Sequence, residues 1–289
     1  IVFNNGDLTI NKNIVIPKNY NVKIEPGTNI YFKNNSSLIS FSPLQINGTK
    51  IKPVKIISLE KNSINNFILV SDSKKTSNIN YLYIKNLSAP KDTSSLITGA
   101  INFFNSDVII KNSIFDGNNF GDDQLNIISS NFLIKDTMIN NSLFDAIDID
   151  FSNGKIINST ISKSGNDSVD FSYSKSQLSN VKIDGSGDKA ISAGEKSKID
   201  INFIEIEESK FAFASKDNSH VNVKNAKIKN VSYLGAAYQK KPEFGPGYLN
   251  IENINYQDVE TEYAREPNSK IFVNGLLVKE NSKLEYDSF

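Results

Sequence analysis

The sequence predicts an all-β chain folded as a single-stranded right-handed parallel β-helix, a solenoid with coils of about 22 residues. Three observations carry this prediction. Apolar residues recur in columns at a fixed step: Leu125, Ile147, Val169, Ile191 and Phe213 are each 22 apart. The segments between them alternate, as in NFLIKDTMI, GKIINSTIS and SQLSNVKID, and period two is the mark of strands. No long amphipathic helical stretch is visible; QDVETEYARE near the end is read as one short helical turn or two.

Two further columns complete the coil. One runs Ile134, Ile156, Leu178, Ile199, Val221 with a single 21-residue step, and the other Ile139, Ile161, Ile183, then Ile206 and Ile228 after an insertion. Three short strands per coil leave an apolar interior that only neighbouring coils can cover, so stability comes from stacking. Asn158, Asn180 and Asn202 mark the corners, where asparagine tolerates a bent backbone and pairs with its own kind.

The chain of 289 residues is read as one domain in three parts. Residues 1–97 form irregular opening coils with corners at Pro26-Gly27 and Gly48, residues 98–235 the regular coils, and residues 236–289 a loop and C-terminal cap. The cap is expected to be a further coil or a hairpin turning at Asn274-Gly275, which would blunt the open edge. The opening IVFNNGDLTI has no leader and reads as a mature or excised piece of an exported protein.

Formal net charge is zero and no basic arm is present, which argues against a nucleic-acid partner. No apolar run is long enough to span a membrane. With no cysteine, disulfides and thiolate metal sites are excluded.

The repeat gives geometry to an unusual stretch, DAIDID at 145–150. Because Ile147 points inward, Asp148 and Asp150 point outward. One coil on, about 4.8 Å away, Asp148 meets Asp170, flanked by Asn126 and Ser192. The preceding corner stacks Asp123, Asp145, Asp167 and Lys189, and Asp150 heads a column of Ser172, Gly194 and Lys216 beside Glu195 and Asp217. Beyond lies a loop carrying Tyr238, Lys240 and Lys241. Carboxylates this close must share a proton, be neutralised by lysine, or bridge a cation. Hard oxygens suit calcium, with Asp148, Asp150 and Asp170 as the expected ligands and no other cofactor indicated. The alternative is a solvated turn column capped by Lys189. His220 reads as a lone surface histidine, and GPG at 245–247 as a turn.

The repeat resembles the pectate-lyase-like parallel β-helix superfamily over essentially the whole chain. The segments GDKAISAGEKS and FASKDNS also resemble blocks of uncharacterised bacterial β-helix repeat proteins. The resemblance implies a secreted or cell-surface protein whose partner is a polysaccharide or cell-surface glycan. It also implies two readings of function. In the first, a lyase-like or epimerase-like enzyme acts on an acidic polysaccharide. Asp148, Asp170, Lys189 and Lys216 would be catalytic, a lysine acting as base, and Asp145, Asp167, Glu195, Asp217, Tyr238, Lys240 and Lys241 would bind substrate. In the second, the chain is a non-catalytic surface or structural module. The GHG and RIK-type motifs of polygalacturonase-like hydrolases and the DPHD-type motif of mannuronan epimerases are absent.

Overall fold

A computed structural model describes residues 1–60, 63–91 and 97–280. Among them there is no helix, and nearly every strand pairs in parallel with the strand one coil further on. Leu125 pairs with Ile147, Ile147 with Val169, Val169 with Ile191, and Ile191 with Phe213. A second line joins Ile139, Ile161, Ile183, Ile206 and Ile228. The chain is thus a parallel β-helix of three-sided coils, and crossovers between parallel strands take the right-handed sense.

The columns point into one continuous core. Ile147, Val169, Ile191 and Phe213 are fully buried, as are Phe171 and Ile149 beside them. Each such side chain contributes about 1.5–3 kcal/mol by leaving water. Along the strand Asp145–Asp150, Ile147 and Ile149 are buried while Asp148 and Asp150 are half-buried on the outer face.

The remaining column differs from expectation by two residues. Leu178 pairs with Ile201, and Ile201 with Val223, whereas Ile199 lies opposite Ser176. The coil is one residue longer, not shorter, because Glu195 and Lys196 both take left-handed conformations (φ 48° and 64°) and absorb an extra residue at the corner. The same shift displaces the asparagine ladder. Asn180 donates to Asn158 at 3.1 Å, but the left-handed corner of the following coil is Phe203, not Asn202.

A second ladder had no counterpart in the sequence reading. The backbone amide of Ser106 donates to Oγ of Ser130 at 2.8 Å. Ser130 then donates to Ser152, Ser152 to Ser174, Ser174 to Ser197 and Ser197 to Ser219, each at 3.0 Å. This chain of bonds pins the corner that follows the acid-bearing strands.

The first coils keep a 22-residue step, Leu8 pairing with Ile30 and Val22 with Leu44, and the coils that follow are larger, Ile68 pairing with Ile101 and Ser77 with Val108. The segment expected to hold a helical turn, QDVETEYARE, lies up to Arg265 in the strand Tyr248–Arg265, because its alternate residues continue the parallel ladder. At the end, Lys270–Val273 pairs antiparallel with Leu276–Leu277 through Asn274 and Gly275, whose φ values of 48° and 80° suit a two-residue hairpin. Residues 281–289 of the expected cap lie outside the described residues.

Candidate carboxylate–lysine site

One face of the solenoid brings together most of the residues singled out above. At the corner entering it, Oδ1 of Asp145 accepts from Asn166 Nδ2 at 2.7 Å and from the Asp167 amide at 2.8 Å. Oδ1 of Asp167 accepts in turn from the Lys189 amide at 2.9 Å, with Lys189 Nζ at 3.4 Å. Lys189 also pairs with Asp188. Further along the strands, Asp148 accepts from Asn126 Nδ2 at 2.8 Å and stacks on Asp170 in register.

Asp170 is neutralised from two coils away. Lys216 Nζ lies 3.7 Å from its Oδ1, and the lysine stem crosses the intervening coil over Gly194. A β-carbon at Gly194 would sit 3.0 Å from Lys216 Cε, so the missing side chain opens this path.

The loop expected from 236 begins after Tyr238, which closes the strand His220–Tyr238 and is buried against Ala214, Ala236 and Ala264. Asp217 is also fully buried. It accepts from the Lys240 and Lys241 amides at 2.7 Å each, and so holds the loop rather than reaching a ligand. Glu195 pairs with Lys241 and accepts from Ser172 Oγ at 2.7 Å. His220 sits on a different face, its ring 5.0 Å from that of Tyr248.

Burial and like charge divide the acids. Desolvation, reinforced by Asp167, pushes Asp145 up to about 8. Desolvation with Asp170 and Glu195 nearby raises Asp150 to about 6. Asp167 also rises to about 6, since burial outweighs the relief from Lys189. Asp148 and Asp123 are driven well above the ordinary range by burial and neighbouring carboxylates. Asp170 alone in this group falls below it, because Lys216 overcomes its burial. At neutral pH the face therefore holds a protonated acid beside an ionised one.

The lysines divide as well. Burial pulls Lys189 and Lys216 down, but Asp167 and Asp170 outweigh it and both stand above the usual lysine value. A lysine held so firmly protonated is a poor base, against the role expected of them. Lys240 is shifted the other way by burial and by the positive charges of Lys216 and Lys189.

The expected metal set also differs. Oxygens of Asp145, Asp167 and Asp170 lie within 4.8 Å of one another, whereas Asp148 and Asp150 do not belong to this triad. Three carboxylates at that spacing fit the donor chemistry of a calcium ion. Lys189 and Lys216 already neutralise Asp167 and Asp170, so a cation would compete with them.

The raised acids have a consequence for stability. An unfolded aspartate titrates near 3.9, so between about pH 4 and 8 the folded chain binds more protons than the unfolded one. Stability from these groups is then greatest near the bottom of that window and falls as pH rises through it. Thermal melting should show a midpoint that drops from pH 5 to pH 8, with calcium restoring part of the loss at pH 8 only. A midpoint that rises over the same range would contradict this division of charge.

No protein-family model matches the sequence, and no curated protein does. Solved structures do share the fold. The catalytic unit of a thermostable GH87 α-1,3-glucanase from Streptomyces thermodiastaticus matches with a TM-score of 0.54 at 12% identity, over 94% of this chain and 61% of that one. An Acinetobacter phage tailspike matches with a TM-score of 0.56 at 9% identity, over 99% of this chain and 60% of that one. A GH87 α-1,3-glucanase catalytic domain in complex with tetrasaccharides matches with a TM-score of 0.51 at 13% identity, over 94% and 63%. The chain thus spans under two thirds of these proteins. What they have in common with it is the parallel β-helix.

Proposed function

We propose that this protein binds and modifies an acidic polysaccharide outside the cytoplasm, on its carboxylate–lysine face. One observation carries the reading. Elsewhere on the rod acids mostly meet lysine or asparagine in the next coil, as Glu205 meets Lys227 at 2.8 Å, Glu207 meets Lys229 at 2.9 Å and Asp200 meets Asn222 at 3.0 Å. The one acid pair in register there among the described residues, Asp184 with Glu207, is not continued into a third coil. On this face acid follows acid through Asp123, Asp145 and Asp167, and again through Asp148 and Asp170. A ladder built only for stability would alternate in sign. Likeness in fold to glucanases and a tailspike agrees with a saccharide ligand without deciding it.

The reaction class that fits is proton abstraction beside a uronate carboxylate. Lys189 and Lys216 supply positive charge toward that carboxylate. Lys240, whose pKa is lowered, takes the C5 proton. In elimination the C5–H electrons form the C4–C5 double bond, the C4–O bond breaks, and the leaving oxygen receives the proton of Asp145. In epimerisation the C4–O bond stays intact, Lys240 keeps the proton it removed, and C5 receives the proton of Asp145 on its opposite face.

A second reading rests on the corner itself. Asp145 and Asp167 each accept the backbone amide one coil on, as a structural turn column would, with or without a bound calcium ion. Proton NMR separates the two. Polygalacturonate, alginate and an α-1,3-glucan are incubated with the protein, with calcium and with chelator. Unsaturated ends or inverted uronates support the enzyme; broadened signals without products keep saccharide binding but remove the chemistry; three unchanged spectra overturn the enzyme and leave the acids as a turn column.

A further inference from the structure

The corner that leaves the carboxylate face carries an arrangement of rings that neither packing nor backbone preference explains. Its left-handed position is occupied in successive coils by Asn105, Ser129, Phe151 and Tyr173, with φ between 47° and 52°. Small polar residues suit that conformation, whereas bulky ones are outliers there. Phe151 and Tyr173 are nevertheless 57% and 44% exposed. Both strain and exposed apolar area oppose them, so their presence needs another reason.

The two rings form an ordered stack. Their centroids are 4.8 Å apart and their planes differ by 11°. Phe244 of the loop after Tyr238 closes the lower end, edge-on to Tyr173 at 5.7 Å, and Lys196 Nζ lies 5.7 Å from the Phe244 ring. The upper end is open, since the next two coils present exposed Ser129 and Asn105 in place of a ring. The serine ladder fixes this corner, because Ser130, Ser152 and Ser174 directly follow Ser129, Phe151 and Tyr173. The backbone beneath both rings is thus tied to the neighbouring coil. Phe203 offers a contrast: it is an exposed left-handed aromatic on another corner, where among the described residues no ring stacks on it and no acid column lies beside it.

We infer that Phe151, backed by Tyr173, is a stacking platform for one pyranose ring of the polysaccharide, at the edge of the carboxylate face. The inference rests on the function proposed above and adds a subsite to it. A pyranose has one face of C–H bonds, which the electron-rich face of an aromatic ring attracts, and a rim of hydroxyls. The platform matches both features. Phe151 gives a flat apolar face one coil spacing deep, and Asp150, Ser129 and Asn105 are the polar groups around it. An apolar protein side chain would fit the ring but would bring nothing to that polar rim.

The chain has no tryptophan, so Phe151→Trp places a single fluorescent reporter on the platform. Oligogalacturonide, alginate oligosaccharide and α-1,3-glucan oligosaccharide serve as probes, and binding is followed by calorimetry for the wild type, Phe151→Asn and Tyr173→Asn. The expected result is an emission shift of Phe151→Trp with at least one probe. Phe151→Asn should lose affinity about tenfold and melt no lower than the wild type, because asparagine is at ease in the left-handed region. Wild-type affinity in Phe151→Asn, with turnover still lost in Asp145→Asn, overturns the platform and leaves the proposed function standing. No binding and no product with any probe in the wild type overturns both. A Phe151→Asn variant that instead converts a dimer to a monomer in sedimentation shows the rings to be a contact between copies, and also overturns the inference.

Discussion

Replacing Lys216 by methionine is expected to cost about 3–5 kcal/mol of stability near pH 7.5, and distinctly less at pH 5. Lys216 is 7% exposed and its ammonium lies 3.7 Å from Asp170, in a cluster whose other buried cation, Lys189, is taken up by Asp167. Removing the cation leaves Asp170 half-buried beside Asp148 and Asp167, its charge favoured only by the Phe171 amide, the Ser192 hydroxyl and Lys189. Its pKa, held below the ordinary range by Lys216, would then rise above the unfolded value. In the wild type this group adds stability above about pH 4 that is lost as pH falls through its lowered pKa. In the variant the sign reverses, and stability is lost as pH rises from about 4 toward the new value. Denaturant unfolding at the two pH values measures the difference. Gly194→Val provides a second route to the same state, since its side chain would displace the lysine stem. An equal loss at both pH values for Lys216→Met would mean that packing, not charge, is the role of this side chain.

Asp145→Asn should reduce turnover of a uronate polymer by about 10²–10⁴-fold, the range for losing a positioned general acid. Asparagine keeps the acceptor that holds Asn166 and the Asp167 amide, so the corner should survive. Stability above pH 7 should even increase. The wild type must ionise a carboxyl poised at about 8 beside Asp167, and the amide is spared that cost. Turnover is measured with the polymer that gives products in the NMR panel, alongside melting at pH 8. A variant with full turnover would remove Asp145 from the chemistry. A variant with neither turnover nor a folded state would point to the turn-column reading, and Asp145→Glu would then be the check on geometry.

Much of this molecule could be read from spacing. Ile147 with its neighbours at 22-residue steps was enough to place Asp148 over Asp170 and Asp145 over Asp167, because parallel stacking turns a sequence interval into a contact. The reading slipped where the interval changed. Between Gly194 and Lys198 the corner holds one more residue, which the 23-residue step from Ile183 to Ile206 records but the polar corner itself does not locate. Ile199, at the step a constant period points to, therefore falls two residues short of Ile201, which continues the column. The serines at 130, 152 and 174 repeat at the same step and were legible in principle, but serine is common enough in turns to pass unremarked.

The sequence by itself determined the solenoid and which acids lie on neighbouring coils, because both follow from one period and from alternation along a strand. Tertiary structure decided how charge is shared among those acids. Proton affinity depends on burial and on charges that arrive from coils away, such as Lys216 reaching Asp170 over a glycine, and a repeat length carries no information about either. It likewise decided that one lysine is pushed down while its neighbours are pushed up, and that a ring at the corner keeps one face uncovered. These are properties of three-dimensional crowding, which the interval between residues does not record.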